Sequence, residues 1–418
     1  MKQVSEKGIA VLALILFCLV PLNVNAQSGI NSPYSRYGVG ILSDHSTGIL
    51  KSMGGIGTGF REANTLNLKN PASYSTIDTL TFLADLGFAL QNGNFSENSV
   101  RLNAHNAYIS HMAMQFRILP KVGMTVAFMP FSNVGYSFSK SYLLPYDDSQ
   151  ITVNDTYSGT GGLRQFMGGL GWRPTNWLSV GFNASYLTGD INHYIYNRYS
   201  SSVIQPRTRM YTTDMSALKW DFGVQGTVPF GENSLILGAT YSPAQKLESD
   251  TYMTDIHSVN DTTAIADAFS LPDMIAAGFT LKWKRCMLGA DVSYQTWSKA
   301  TFFGEKYGID RLSASAGFMV CPDEMSKNLL KRTSYQIGGN ISQPYFNVGT
   351  VKGPMEFGVS AGISTPITSS YNSMSYLHIT GEYVRVQPMG SGMITENYIR
   401  INIGITFMER WFMKLMVD

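Results

Sequence analysis

Ser110, His105, His111 and Asp291 are the side-chain types that a serine hydrolase combines as nucleophile, base and orienting acid. Their placement argues against that use. Ser110 and His111 are consecutive, and on a regular strand consecutive side chains point to opposite faces. No Ser/His/Asp order or spacing is recognisable, so no enzyme activity is expected. Gly55-x-Gly57-x-Gly59 invites a phosphate-cradling reading, but that needs a strand before it and a helix after it, and neither is expected here. Cys286 and Cys321 lie in no C-x-x-C spacing, which leaves no case for zinc or a disulfide framework; they either pair with each other or stay free. Neither a metal site nor a cofactor is expected. A net charge of +2 gives no electrostatic footprint for nucleic acid.

The elements that position these residues begin with an export signal. Met1–Ala26 has a basic start at Lys2 and Lys7, an apolar run from Ile9 to Leu22, and the small-residue ending Val24-Asn25-Ala26. The run is shorter than the roughly 20 residues a membrane-spanning helix needs, and no later stretch approaches that length. Charged residues make up 14% of the chain, against about 25% in soluble domains, while there are 40 glycines and 12% aromatics. A soluble all-β secreted protein should carry more charge. An exported chain of this composition fits an all-β transmembrane antiparallel β-barrel of the bacterial outer membrane, bathed in outer-membrane lipid.

From Thr79 onward, segments of about ten residues alternate apolar and polar with the period of a two-faced strand. Ile399, Ile401, Ile403, Ile405 and Phe407 share one face, and Arg400, Asn402, Gly404 and Thr406 the other. On the second strand His111, Gln115 and Arg117 are read as lumen-facing, as are Arg400 and Asn402 on the last. About fourteen strands are expected, starting near Thr79, Asn103, Lys121, Tyr157, Asn176, Arg207, Ser234, Pro272, Cys286, Asp310, Thr333, Pro354, Ser375 and Asn397. Tight turns alternate with long polar loops. The exception is Cys321 to Arg332, for which a short helix over Glu324–Leu330 is expected. Trp172, Trp177, Trp283 and Trp411 border the turn side, as an interfacial aromatic girdle does.

Two stretches break the pattern. The segment before Thr79 is irregular and glycine-rich, and an irregular segment attached to a closed sheet lies outside it or plugs it. We expect a plug over residues 27–78, with Gly54, Gly55, Gly57, Gly59, Asn70, Pro71 and Ala72 as its hatch residues. In the third strand Pro130 lacks a ladder donor, which implies a kink and a side opening at Pro130, Ser132, Asn133 and Gly135.

Asn70-Pro71-Ala72 after a glycine-rich segment, Leu271-Pro272-Asp273 followed by Gly278, and the strand Asp291–Ser298 together resemble the FadL family of outer-membrane channels for long-chain fatty acids and other apolar molecules. Asn31–Gly38 and the ending Glu396–Phe412 look like a Bacteroidetes branch of that family, related to PorV-type proteins that serve protein secretion. The resemblance implies a fourteen-stranded barrel, an N-terminal luminal hatch and a lateral opening at the kink. It implies uptake of an apolar small-molecule ligand with lateral release. The alternative is a partner barrel that carries no solute and binds a protein of a secretion or assembly system.

Overall fold

The computed structural model describes residues 29–410, apart from 80, 98, 147–148, 202, 256–260, 266–268 and 371–372. The expected signal Met1–Ala26 and the girdle residue Trp411 lie outside the described residues. Fourteen strands follow in chain order: β1 (Thr81–Glu97), β2 (Val100–Leu119), β3 in two pieces (Val122–Pro130 and Ser132–Tyr146), β4 (Ser149–Trp172), β5 (Leu178–Tyr199) and β6 (Arg207–Phe230). Then come β7 in two pieces (Asn233–Ser242 and Gln245–Asp255), β8 in three (Asp261–Ile265, Phe269–Leu271 and Met274–Trp283), β9 (Cys286–Gln295), β10 (Arg311–Val320), β11 (Ser334–Ser342), β12 (Met355–Ser370), β13 (Ser373–Gln387) and β14 (Thr395–Arg410). Every neighbouring pair is antiparallel, and β14 closes onto β1 from Thr81↔Arg410 to Ser96↔Thr395. The result is a closed barrel with every strand position anticipated. The largest offsets are in β8, whose first piece starts at Asp261, and in β4, which starts at Ser149.

Alternation sorts the side chains as a lipid-embedded barrel requires. Ile399, Ile401, Ile403, Phe182, Tyr186, Leu312 and Phe318 are exposed on the outer surface. Asn402, Thr406, Asn183 and Ser185, their neighbours in sequence, are buried inside. The tight turns place Lys121, Gly231 and Lys284 in the left-handed region, with φ of 70°, 64° and 51°. Trp172, Trp177 and Trp283 stand exposed beside these turns, at the end where short periplasmic turns of bacterial barrels lie. In the long turn after β10 the helix starts later than expected. It runs from Leu329 to Arg332, because Asn328 caps it by accepting from the Leu330 N–H at 3.0 Å.

The segment before β1 lies within the ring. It holds a 3-10 turn (Pro33–Arg36), a two-residue strand (Ile41–Leu42), a short helix α1 (Gly48–Ser52) and a second 3-10 turn (Pro71–Thr76). Its main chain sits so close to inward glycines of the wall that a Cβ would overlap it. At Gly123 of β3 that atom would fall 1.9 Å from Tyr74 O, at Gly238 of β7 1.9 Å from Thr58 O, and at Gly338 of β11 2.1 Å from Gly54 N. Gly181 and Gly171 face Pro71, Gly317 faces Met53, and Gly362 faces Ser52. A segment touching strands on all sides of a closed ring occupies its lumen.

Candidate functional site: the luminal segment and the gap in the third strand

Wall side chains hold the luminal segment by its main chain. Asp291 Oδ2 on β9 accepts from the Gly57 N–H at 2.6 Å and the Thr58 N–H at 2.7 Å. Gln225 on β6 donates to Thr58 O and Phe60 O at 3.1 and 3.0 Å. Ser360 on β12 accepts from the Gly54 N–H and donates to Ser52 O. Gly54 and Gly55, at φ of 72° and 82°, make the turn that brings this stretch against β11. Asn70 caps the second 3-10 turn through the Ala72 N–H at 3.0 Å, and its amide reaches Thr58 O at 2.7 Å and Val224 O at 3.3 Å. Pro71 stands at the first position of that turn, where no N–H is needed. Gly59 packs on Phe279 and Gly278 of β8. Charge adds to this: Glu62 pairs with Lys282 at 2.9 Å, and Arg61 bonds Ser179. Asp291, considered above for catalysis, is therefore an anchor. Sequence reading missed Gln225 and Ser360, whose only signal was a polar residue on an inward position.

The third strand breaks at Phe131. Its lower piece pairs with β2 from Leu119↔Val122 to Met112↔Phe128, while its upper piece pairs only with β4 and the luminal strand. Among the described residues no ladder joins the upper piece to β2. Pro130 is the last paired residue of the lower piece, opposite Arg164. Gly161 and Gly162 of β4 admit the bend. A Cβ on Gly162 would lie 2.4 Å from Ser132 O, and both glycines have φ above 120°.

The inner side of this gap is covered by the chain's own amino-terminal residues. Ile41 and Leu42 pair with Asn133 and Ser132. Ser35 Oγ accepts from the Gly135 N–H at 3.0 Å and donates to Gly135 O at 3.2 Å. Asn31 reaches Asn106 on β2 at 3.2 Å, and Ser32 donates to the buried Glu396 on β14 at 2.7 Å. Arg36 stacks on Tyr157 at 4.7 Å, and Tyr37 lies flat on Phe346 with centroids 5.0 Å apart. The Asn31–Gly38 stretch thus ties β2, β3, β4 and β14 together.

Inside, the half of the barrel away from the tight turns is filled. Tyr34, Val39, Tyr136, Leu163, Leu187, Met215, Phe269, Trp297, Phe302, Tyr345 and Phe346 form one buried apolar cluster. Trp297, from the stretch likened to a family strand, sits 1% exposed within it. Below it remains a chamber of about 270 Å³ bordered by Asp44, His45, Lys69, Lys219, Asp221, Asp291, Arg311 and Glu356. Asp44 pairs with Lys51 at 3.1 Å and Lys69 at 2.9 Å. Burial opposes its charge, yet the two lysines and Ser46 outweigh burial and hold its carboxyl well below the usual range. Burial, helped by Lys219, lowers His45 to about 4, and its Nε2 has no hydrogen-bond partner.

His111 and Gln115 are buried on the inner face, Gln115 donating to Tyr74 O at 3.1 Å. Arg117 sits at the turn end and bonds Thr79. Arg400 reaches Gln91 at 2.7 Å, and Asn402 lies beside Glu382 at 3.4 Å. The expectation that Ser110 and His111 face apart is corrected: the register slips between Gly87 and Phe88, so Ser110 is an extra, bulged residue. Ser110 Oγ meets His111 Nδ1 at 3.0 Å, and His111 Nε2 meets Asp85 at 2.5 Å. The relay continues through Thr406 and His378 to Ser364, cross-tying five strands around the closure of β14 on β1. Ser110, His111 and Asp85 border neither the chamber nor the smaller cavity beside it. A Gly-x-Ser-x-Gly string, Gly358–Gly362, lies mid-strand in β12, not on a strand-to-helix turn.

The barrel has the fold of FadL-type channels. Among solved structures it is similar to the Pseudomonas putida toluene transporter TodX, with 13% identity over 89% of this chain and 100% of that one and a TM-score of 0.56. It is similar to the Ralstonia pickettii toluene transporter TbuX, with 11% identity over 88% and 99% and a TM-score of 0.58. A Pseudomonas aeruginosa FadL homologue aligns at 10% identity over 89% and 100%, with a TM-score of 0.57. At these identities the likeness is one of fold. No curated protein matches the sequence. A family model described as BamG matches residues 8–418, and the chain belongs to the BamG family. Its place is the outer membrane of a Gram-negative bacterium.

Proposed function

We propose that the protein is a partner barrel, which carries no solute and binds another protein of a secretion or outer-membrane assembly system. The observation that carries this is the filled lumen. One half of the lumen holds the chain's own Tyr34, Trp297, Phe302 and Tyr345. The chamber that remains is bordered by apolar side chains such as Met129, Phe131, Leu271 and Met274 together with four carboxylates and three cations, and it is the charged groups that an apolar guest would have to desolvate. The residues before Thr81 act on this reading as a fixed plug, anchored at Asp291, Gln225, Ser360 and Asn70. The resemblance of Asn31–Gly38 to a PorV-related branch supports the same reading.

The second reading is an uptake channel for apolar molecules such as long-chain fatty acids, with lateral release at the third strand. It is favoured by the missing ladder between β2 and upper β3, and by fold neighbours that are a monoaromatic hydrocarbon channel and a toluene transporter. It requires residues 29–42 to leave the gap. Native mass spectrometry of the protein extracted in mild detergent separates the two readings. A stoichiometric protein partner without an apolar ligand is the expected result. A lipid or fatty-acid-sized molecule at one per barrel, with no protein, would replace the partner reading by the channel.

A further inference from the structure

Resting on the partner-barrel reading, we propose that the partner docks in the open seam between β2 and upper β3, and that what enters the seam is an extended strand of that protein. On one side β2 is laddered to β1 along its length, from Glu97↔Val100 to Phe82↔Phe116. On the other side its ladder stops at Met112↔Phe128. Upper β3 pairs with β4 from Val134↔Gly161 to Tyr146↔Ser149 and offers its other edge to the seam. Among the described residues, Val100–Ile109 and Val134–Tyr146 therefore present two main-chain edges with no ladder partner, Gly135 alone being held by the Ser35 side chain. Closing a barrel normally abolishes such edges, because each is a template for pairing with another chain.

Three observations identify the occupant as polypeptide. An edge offers N–H and C=O groups at strand spacing, which a second strand matches and an acyl chain does not. The β3 edge already accepts a strand: Ile41 and Leu42 add to it antiparallel at Asn133 and Ser132, and that pairing stops there. The flanks carry exposed apolar side chains, Val100 and Leu102 on one and Tyr142, Leu143 and Leu144 on the other. Lipid does not account for these. On the outer surface at the same level Asn103 bonds Asn92 and Asn94, at 2.5 and 2.7 Å, a polar ladder above the apolar belt. The edges are only sparsely guarded: the two stretches contain one Arg, one Lys and one proline, Pro145.

The test uses the full-length protein in its own outer membrane, with a photo-crosslinking residue at Leu102 or Leu144 and, as controls, at the lipid-facing Leu237 or the loop residue Val203. The complex isolated with its co-purifying partner is then compared with the free barrel by amide hydrogen exchange. The expected result is crosslinking to that same partner from 102 and 144 only. Amides within 100–109 and 134–146 should exchange at least tenfold more slowly in the complex. Leu102→Asp/Leu144→Asp, both on exposed sites, should release the partner while the barrel keeps its heat-resistant gel mobility. Crosslinks only to lipid, or only to this chain's own residues before Gly29, overturn the inference. So does a bound partner that leaves the seam amides exchanging at the free rate; in that case the partner reading survives. Absence of any stoichiometric partner would instead remove the partner reading itself.

Discussion

Asp291 and Gly57 lie 234 positions apart and meet at 2.6 Å, the wall carboxylate accepting the Gly57 N–H and, at 2.7 Å, the next N–H along. Two N–H groups converging on one buried carboxylate form a strong clamp, since hydrogen bonds to charged groups contribute about 1.5–3 kcal/mol each. It is the luminal counterpart of a capped turn, with the cap supplied by the barrel. Asp291→Ala should cost the docked segment about 3 kcal/mol and leave the barrel wall folded. The check is limited proteolysis of the purified barrel: cleavage between residues 43 and 70 should appear in the variant and not in the parent, with Asp291→Asn intermediate. An uncleaved Asp291→Ala protein would show that the other anchors suffice.

The wall glycines make a sharper test, because inward ones face the segment and outward ones face nothing. Gly123→Ala and Gly238→Ala each place a methyl within 2 Å of a main-chain oxygen of the segment. Gly168→Ala and Gly226→Ala meet nothing within 4 Å. The first pair should displace the segment and lower the unfolding temperature by several degrees, while the second pair should leave it within about 0.5 kcal/mol of the parent. Equal effects in both pairs would contradict the close packing of segment on wall.

Removing residues 52–72 should turn a closed barrel into a conducting one. That stretch carries α1's last residue, the Asp291-bound turn and Asn70, and it sits across the lumen. In planar bilayers the parent should show no steps, and the deletion protein should show ionic steps characteristic of an open pore. A deletion barrel that stays closed would mean that the aromatic cluster at Trp297 and Phe302 seals the lumen alone.

Acid should loosen the segment through His45. Its protonation is held down to about 4 by burial and by Lys219, with Lys69 adding to the repulsion and Asp44 and Asp221 opposing it. Between pH 6.5 and 4 the released segment takes up a proton that the docked one refuses, so docking weakens as the pH falls through that window and loses nothing further below it. Asp44, lowered by its lysines, loses its contribution only at more acid pH. Protease susceptibility of the segment should therefore rise from pH 6.5 to 4 in the parent and stay flat in His45→Gln. An identical rise in both would move the effect to another group.

Pro130→Ala separates the two functional readings. Pro130 closes the lower ladder opposite Arg164, and the bend itself is shared with Gly161 and Gly162. For a partner barrel, cells carrying the variant should take up a labelled long-chain fatty acid at the parent's rate. A several-fold drop with a normally folded barrel would favour the channel.

The sequence by itself determined the barrel. Ile399 to Phe407 can bury only one face in lipid, the expected strands come in an even number, and short turns beside Trp172 and Trp283 fix which end is which. These are local, period-two signals, and neighbouring residues carry them whole. What only the tertiary structure decided are pairings between distant positions. The slip opposite Gly87 turns Ser110 to the side of His111, because a bulge depends on the register of two strands and not on either one. Asp291 became a clamp because β9 happens to stand beside Gly57 in the closed ring. Pro130 stands where the ladder to β2 ends, but what lies across that break depended on Asn31–Leu42 folding back over it. A proline can end a ladder locally; what fills the space beyond is set by the packing of the whole barrel.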